Sequence, residues 1–210
     1  MKIYLASSSP RRKRLLEWFG LDFKVVSHGF DESLVKAKEA ETLVGELALR
    51  KAVSALRKIK AEDGLVIGSD LVVSLGKEIM GKPKDLKEAR EMLRKLRAKE
   101  HKICCGIAVV EDKTGKAVMS VAVTKVKMKD YGDEVIREYV KKFKVLDKGG
   151  SYAVQDEIKG FGSLVERFEG GITTIIGLPL DYLENLLKEF GVKPKKDWRK
   201  ICKEETGYEY

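Results

Sequence analysis

Ile103-Cys104-Cys105-Gly106-Ile107-Ala108-Val109-Val110, a turn at Asp112-Lys113-Thr114-Gly115, and then Ala117 to Met128 form the stretch that decides the fold class. Apolar, β-branched runs on either side of a glycine-bearing turn predict two strands of a hairpin. A hairpin is antiparallel, so an all-parallel sheet is excluded as soon as it is accepted. On its N-terminal side, Asp85 is placed to cap a helix and Glu88 to close a capping box, with Leu86, Ala89, Met92, Leu93 and Leu96 facing inward. Before that, Leu65-Val66-Ile67 predicts a strand that continues through Gly68-Ser69-Asp70 into Leu71-Val72-Val73, towards a turn at Gly76. An amphipathic helix starts near Thr42, its apolar stripe made by Leu43, Leu47, Ala48, Ala52, Ala55, Leu56 and Ile59.

The chain opens on a short strand, Ile3 to Ala6, a Ser-rich turn, and a helix from Pro10 to about Phe19 that stops at Gly20, with Ser9 as N-cap. A strand at Phe23 to Val26 and an irregular polar segment from His28 to Glu39 follow. Beyond the hairpin come a helix about Glu134 to Phe143, a turn at Lys148-Gly149-Gly150, strands at Ser151 to Gln155 and Ile172 to Ile176, and a helix from Pro179 to Phe190. Helices and strands alternate around one hairpin, which predicts an α/β fold with a mixed sheet flanked by helices. Residues 1–191 are expected to form a single domain, and 192–210 a basic tail with partial disorder.

The 210 residues are enough to bury a sizeable core. The formal net charge of +9 favours anionic partners without choosing among them, and most of the 42 Lys and Arg residues read as solvated surface. Cys104 and Cys105 are neighbours on a strand and point to opposite faces, so they do not staple a secreted scaffold. No stretch approaches the ~18 apolar residues of a membrane span, and a reducing cytoplasm is the expected compartment.

Ser7-Ser8-Ser9-Pro10-Arg11-Arg12-Lys13-Arg14 stands between a strand and a helix start, where free backbone N–H groups and the helix dipole attract an anion. Four consecutive cations in the first turns oppose that dipole unless something negative sits there. Asp70 interrupts an apolar strand, where an unpaired carboxylate is costly, so cations or a metal should neighbour it; a bend bonding backbone amides is the alternative. Lys51 falls in the apolar stripe, as a snorkelling lysine or as a phosphate ligand. Lys82, in Gly81-Lys82-Pro83, sits in a turn after the strand of Asp70. Asp31-Glu32 could offer a second carboxylate to a hard cation, or be a solvated loop. Asp147 to Gln155 brings a glycine turn up to a phenol and an amide suited to a nucleobase edge. His28 and His101 lack partners at metal-ligand spacing and read as surface or loop residues. Cys104 and Cys105 read as small core residues.

In order, Leu5 to Arg12, Gly68-Ser69-Asp70, Gly81-Lys82-Pro83, Asp147 to Gln155 and Gly177-Leu178-Pro179-Leu180 resemble the successive motifs of the Maf family over about residues 1 to 190. The resemblance implies an elongated, twisted mixed sheet in two lobes with a central cleft, homodimers in many members, and metal-dependent hydrolysis of a nucleoside triphosphate to monophosphate and pyrophosphate. It makes Asp70 the catalytic acid or base and Glu32 its partner at a Mg²⁺ or Mn²⁺ ion. Ser7, Ser8, Arg11, Arg12, Lys51 and Lys82 would hold the phosphates, and Arg11, Leu71 and Gln155 would set the base, dTTP, UTP or a modified nucleotide. Leu71 departs from the threonine of the pyrimidine-selective members, whereas Asp147 to Gln155 looks like that branch. A nucleic-acid binder using the basic surface, or a nucleotide sensor without turnover, are the competing readings; few aromatics interleave with the cations as single-strand binding needs.

Overall fold

The computed structural model describes residues 1–59 and 63–209. Its elements in chain order are β1 (Lys2–Leu5), α1 (Pro10–Glu17), β2 (Phe23–Val25), α2 (Ala40–Leu56), β3 (Gly64–Leu75), β4 (Glu78–Met80), α3 (Leu86–Leu96), β5 (Glu100–Glu111) and β6 (Ala117–Met128). They are followed by α4 (Asp133–Lys142), β7 (Glu157–Ile158), β8 (Gly162–Ser163), β9 (Val165–Glu169), α5 (Ile172–Ile176), α6 (Leu180–Lys188) and α7 (Trp198–Thr206). The hairpin is the centre of the main sheet: β5 and β6 pair antiparallel from Glu100↔Lys127 to Val110↔Ala117. The strand order is β2-β1-β3-β5-β6-β9, with β4 on β3; only β1 runs parallel to its neighbours β2 and β3. The sheet is therefore mixed, as the hairpin requires.

One face of β3 carries Leu65, Ile67 and Val73 into the main core with Leu15, Leu93 and Ile107. The other carries Val66 and Val72 against α2, beside Ala52, Ala55 and Val44. Two glycines set how near that helix comes. A Cβ on Gly68 would stand 2.1 Å from the Ala48 carbonyl oxygen, and one on Gly106 2.0 Å from that of Val44. Gly106 lies directly opposite Asp70 in the β3–β5 pairing, so the closest helix–sheet approach brackets that carboxylate.

β1 leaves β3 at the pair Leu5↔Ile67, and β4 joins the same edge only at Val73↔Met80. Between those points the edge of β3 has no strand partner among the described residues, and residues 68–72 border an opening in the sheet. Side chains on both faces of β3 can therefore reach one cleft, which is bordered by the start of α1 on one side and by the 144–155 connection on the other.

Three expectations are corrected. Ser151 to Gln155 is not a strand: Gly150 (φ 67°) and Ser151 (φ 68°) both take left-handed backbone, which ends any extended run. Ile172 to Ile176 is helix α5 rather than a strand. Its Ile-Thr-Thr-Ile-Ile composition favours a strand locally, but Ile172, Thr173 and Thr174 are buried in helical form between capping glycines, and burial overrides propensity. The edge strand beside β6 is β9 instead. Leu86 is 45% exposed, because it is the first residue of α3 and precedes the stripe of Ala89, Met92, Leu93 and Leu96 that is buried. In the tail, Trp198 is 1% exposed and donates from Nε1 to Glu184 (3.0 Å), which fastens α7 to α6. No helix among the described residues is long and apolar enough to cross a membrane.

Gly106→Ala forces α2 off the sheet and should cost about 2–3 kcal/mol of stability, since the obstructing atoms are backbone. A urea midpoint equal to wild type would mean that the helix is not clamped there.

Candidate functional site

Ala48 and Ala52 ride close over Gly68, and the residue between them on the same turn, Lys51, is carried onto Asp70. Lys51 is 4% exposed, with Nζ 2.5 Å from Asp70 Oδ1 and 3.0 Å from Glu32 Oε1. One ammonium thus joins two carboxylates from segments remote in sequence. Taking Lys51 and Asp70 out of water is expensive, and burial of the pair is tolerated because each neutralises the other. Asp31 takes a different part from its neighbour: it caps the turn Glu32–Leu34, accepting from Ser33 N (3.0 Å) and Ser33 Oγ (2.7 Å), and these bonds hold its carboxyl below the usual range.

The start of α1 forms the facing wall. Ser9 caps the helix, its Oγ accepting from Arg12 N, and Ser7 Oγ accepts from Ser9 N (3.2 Å). Arg12 donates from Nε to the Gly177 carbonyl (2.9 Å) and from Nη1 to Ser7 Oγ (3.4 Å). Both acceptors are neutral, so the guanidinium is fixed in place while its charge stays available to an anion. Ser69, fully buried, donates to the same Gly177 carbonyl (3.0 Å), so the Gly177-Leu178-Pro179 turn ties β3 to Arg12. Arg11 reaches across the cleft to Asp147, donating to Oδ2 (2.8 Å) and to the backbone carbonyl (2.9 Å). Burial pushes the Asp147 carboxyl up, but Lys148 and Arg11 outweigh it and hold it below its ordinary value.

Two cavities meet here. One is polar, lined by Ser7, Ser8, Arg12, His28, Glu32 and Lys51. The other is lined on its apolar side by Leu71, Ile103, Tyr152, Val154, Ile175 and Ile176, with Gln155 at its border. Ser9, Arg11, Arg12, Lys82 and Asp147 border both. Of the residues expected at a site, Ser7, Ser8, Arg11, Arg12, Lys51, Lys82 and Glu32 thus gather at the polar chamber. Asp70 lies behind Lys51, while Leu71 and Gln155 border the apolar one. Such a pair of chambers can take a ligand with an anionic chain on one side and a flat, mostly apolar body on the other.

A family model described as Maf-like protein matches residues 2–190. The chain belongs to the Maf family. A protein of Acetivibrio thermocellus named dTTP/UTP pyrophosphatase is 44% identical over 201 residues, covering 93% of this chain and 98% of its own. One of the same name from Thermotoga maritima is 42% identical over 202 residues, covering 96% and 93%. A solved structure of the Staphylococcus aureus Ham1 protein superimposes with a TM-score of 0.52 at 16% identity, covering 90% of this chain and 97% of the other, and shows the fold alone. Helix α7 lies beyond the span matched by the Maf model.

Within this Maf-family site, sequence reasoning missed three participants. His28 lines the polar chamber, with Nε2 3.9 Å from Glu32 Oε1; burial first, then the Lys51 charge, lower its pKa. Its four-residue spacing from Glu32 was the one available signal, and in an irregular segment spacing says little. Ser69 reads as part of a strand until Gly177 is brought to it. His101 is 3% exposed and not a surface residue: its Nε2 lies 2.6 Å from the hydroxyl of Tyr152, the phenol that floors the apolar chamber. Burial drops its pKa to about 4. Cys105, 3.6 Å from Ser69 Oγ, is pushed up to about 11 by burial, which keeps it an inert thiol.

Lys51→Met leaves Asp70 buried without its partner and should cost about 3–5 kcal/mol, of which adding Asp70→Asn restores part. Additive losses in the double variant would show that the two do not act as a pair. For His101, the folded pKa lies below the unfolded one, so the unfolded chain binds more protons between about pH 6.5 and 4 and stability falls as pH falls through that window. From pH 7 to 4.5 wild type should lose about 2–3 kcal/mol more than His101→Gln in urea melts, and parallel losses would contradict this.

Proposed function

We propose that the chain hydrolyses a nucleoside triphosphate at the α–β phosphate link, releasing the nucleoside monophosphate and pyrophosphate, and that its substrate is a pyrimidine nucleotide such as dTTP or UTP. The observation that carries this reading is the junction of a cationic chamber at a helix N-terminus with an apolar, amide-bordered one, beside the buried Lys51–Asp70 pair and the exposed Glu32 that shares its ammonium. Relatives more than 40% identical over nearly their whole length and named dTTP/UTP pyrophosphatase support it.

Arg12, Lys82 and the amides around Ser7 to Ser9 bind the phosphates, whose spread negative charge they stabilise without covalent chemistry. Leu71 and Ile176 pack on the base, and the Gln155 amide, donor and acceptor at once, pairs with its edge. Asp70 orients a water for in-line attack at the α-phosphorus and takes its proton. Lys51 holds Asp70 and Glu32 in register. Two hard carboxylates already sharing one cation, the Lys51 ammonium, fit a divalent ion of the Mg²⁺ or Mn²⁺ kind, which uses one or two carboxylates and completes its shell with substrate phosphates and water. When bound at Glu32 and Asp70, such an ion supplies neutralisation of the phosphates and a lowered water pKa. The three free thiols are all buried, which suits the cytoplasmic setting we propose.

The test is pyrophosphate release from a panel of normal, methylated and deaminated nucleoside triphosphates with Mg²⁺ or Mn²⁺. Asp70→Asn should lower kcat by about 10²–10⁴-fold. Full turnover in that variant, or orthophosphate as the product, would overturn the reading; binding without release would leave a nucleotide sensor.

A further inference from the structure

His28 lines the polar chamber, and neither the cluster of Lys51 nor the wall of α1 assigns it a task. It enters from the segment after β2 and lines the same cavity as Ser7, Ser8, Glu32 and Lys51. Its ring is half-buried, held with Nδ1 inside the protein, where that atom has no hydrogen-bond partner. Its Nε2 lies 3.9 Å from Glu32 Oε1, beyond hydrogen-bond reach, so that edge is not committed to the carboxylate. The backbone next to it is pinned: Gly29 N donates to Ser54 Oγ on α2 (3.1 Å), which fixes the ring's approach relative to Lys51 on the same helix. A polar edge held in place and facing an anion chamber, with the Phe30 backbone beside the ring and the Glu32 carboxylate near Nε2 but beyond hydrogen-bond reach, is arranged for a ligand.

We infer that His28 is a further substrate-binding residue, its Nε2–H donating a hydrogen bond to an oxygen of the bound polyphosphate chain on the Glu32 side of the chamber. The inference rests on the proposed nucleotide site and adds to its phosphate contacts a donor from outside the Ser7–Arg12 wall. A neutral imidazole offers one N–H, which serves the role in the tautomer that carries it on Nε2 and leaves the unpartnered Nδ1 as the acceptor nitrogen. An uncharged donor there also leaves the balance between Lys51 and its two carboxylates undisturbed, as a further lysine would not.

The experiment compares wild type, His28→Ala and His28→Gln, using calorimetric binding of a non-hydrolysable α,β-methylene analogue of UTP and steady-state pyrophosphate release. A lost hydrogen bond to a charged oxygen should weaken analogue binding and raise KM about 10-fold in His28→Ala, with kcat within about 2-fold of wild type. His28→Gln, whose amide N–H can reach towards the same point, should recover most of that loss. Thermal melts of all three separate folding from binding; if His28→Ala melts early, His28→Gln carries the comparison, and a folded Gln variant with weak binding would count against the proposal. Unchanged analogue affinity and KM in a folded His28→Ala would overturn it. Wild type that binds the analogue but releases no pyrophosphate would defeat the proposed activity alone, because the affinity comparison still reads the contact.

Discussion

Everything at this site hangs on the closeness of α2 to the sheet. Gly68 and Gly106 remove the two side chains that would otherwise hold the helix backbone away, and Ala48 and Ala52 leave no bulk between. A helix seated at ordinary distance would place Lys51 too far out to reach Asp70. The pair formed at close range is buried, and a buried ion pair adds little net stability compared with apolar packing. Its cost is offset by the surrounding core, and its presence is explained by what two carboxylates and an ammonium can do together beside an anion chamber.

The second constraint is the opening in the sheet edge beside Gly68 to Val72. Alternation along a strand sends Asp70 to one face and Leu71 to the other, and in a continuous sheet they would serve different environments. Because β1 ends before this point and β4 begins after it, both faces adjoin the space filled by the Ser7–Ser9 turn and the start of α1. A polar chamber and an apolar chamber can then share a boundary. Arg12 sits on that boundary, held by Gly177 and Ser7, while Arg11 and Asp147 link its two banks. Tyr152, steadied by a neutral His101, makes part of the apolar floor rigid. The basic surface as a whole contributes little to this arrangement; Arg12, fixed by neutral partners, and Lys51 and Arg11, fixed by carboxylates, do.

The sequence by itself determined the elements whose signals are local. The hairpin followed from β-branched runs around a Gly turn, and the α1 start from Ser9-Pro10. Lys51 was marked by its place in a helical stripe, and Asp70 by being a carboxylate in an apolar strand. Family resemblance then ordered the short motifs and named their roles. What only the tertiary structure decided was who meets whom. Lys51 meets Asp70 and Glu32, Ser69 and Arg12 share the Gly177 carbonyl, and His28 comes to the polar chamber; each contact spans separate segments whose spacing in the chain carries no trace of it. Ile172 to Ile176 became a helix for the same reason: its local preference for a strand is worth less than the burial offered to it as a helix between two glycines. Local patterns fix the parts because backbone sterics and periodicity act over a few residues. The site had to wait for packing, because charge pairing and burial depend on distances that only the folded chain sets.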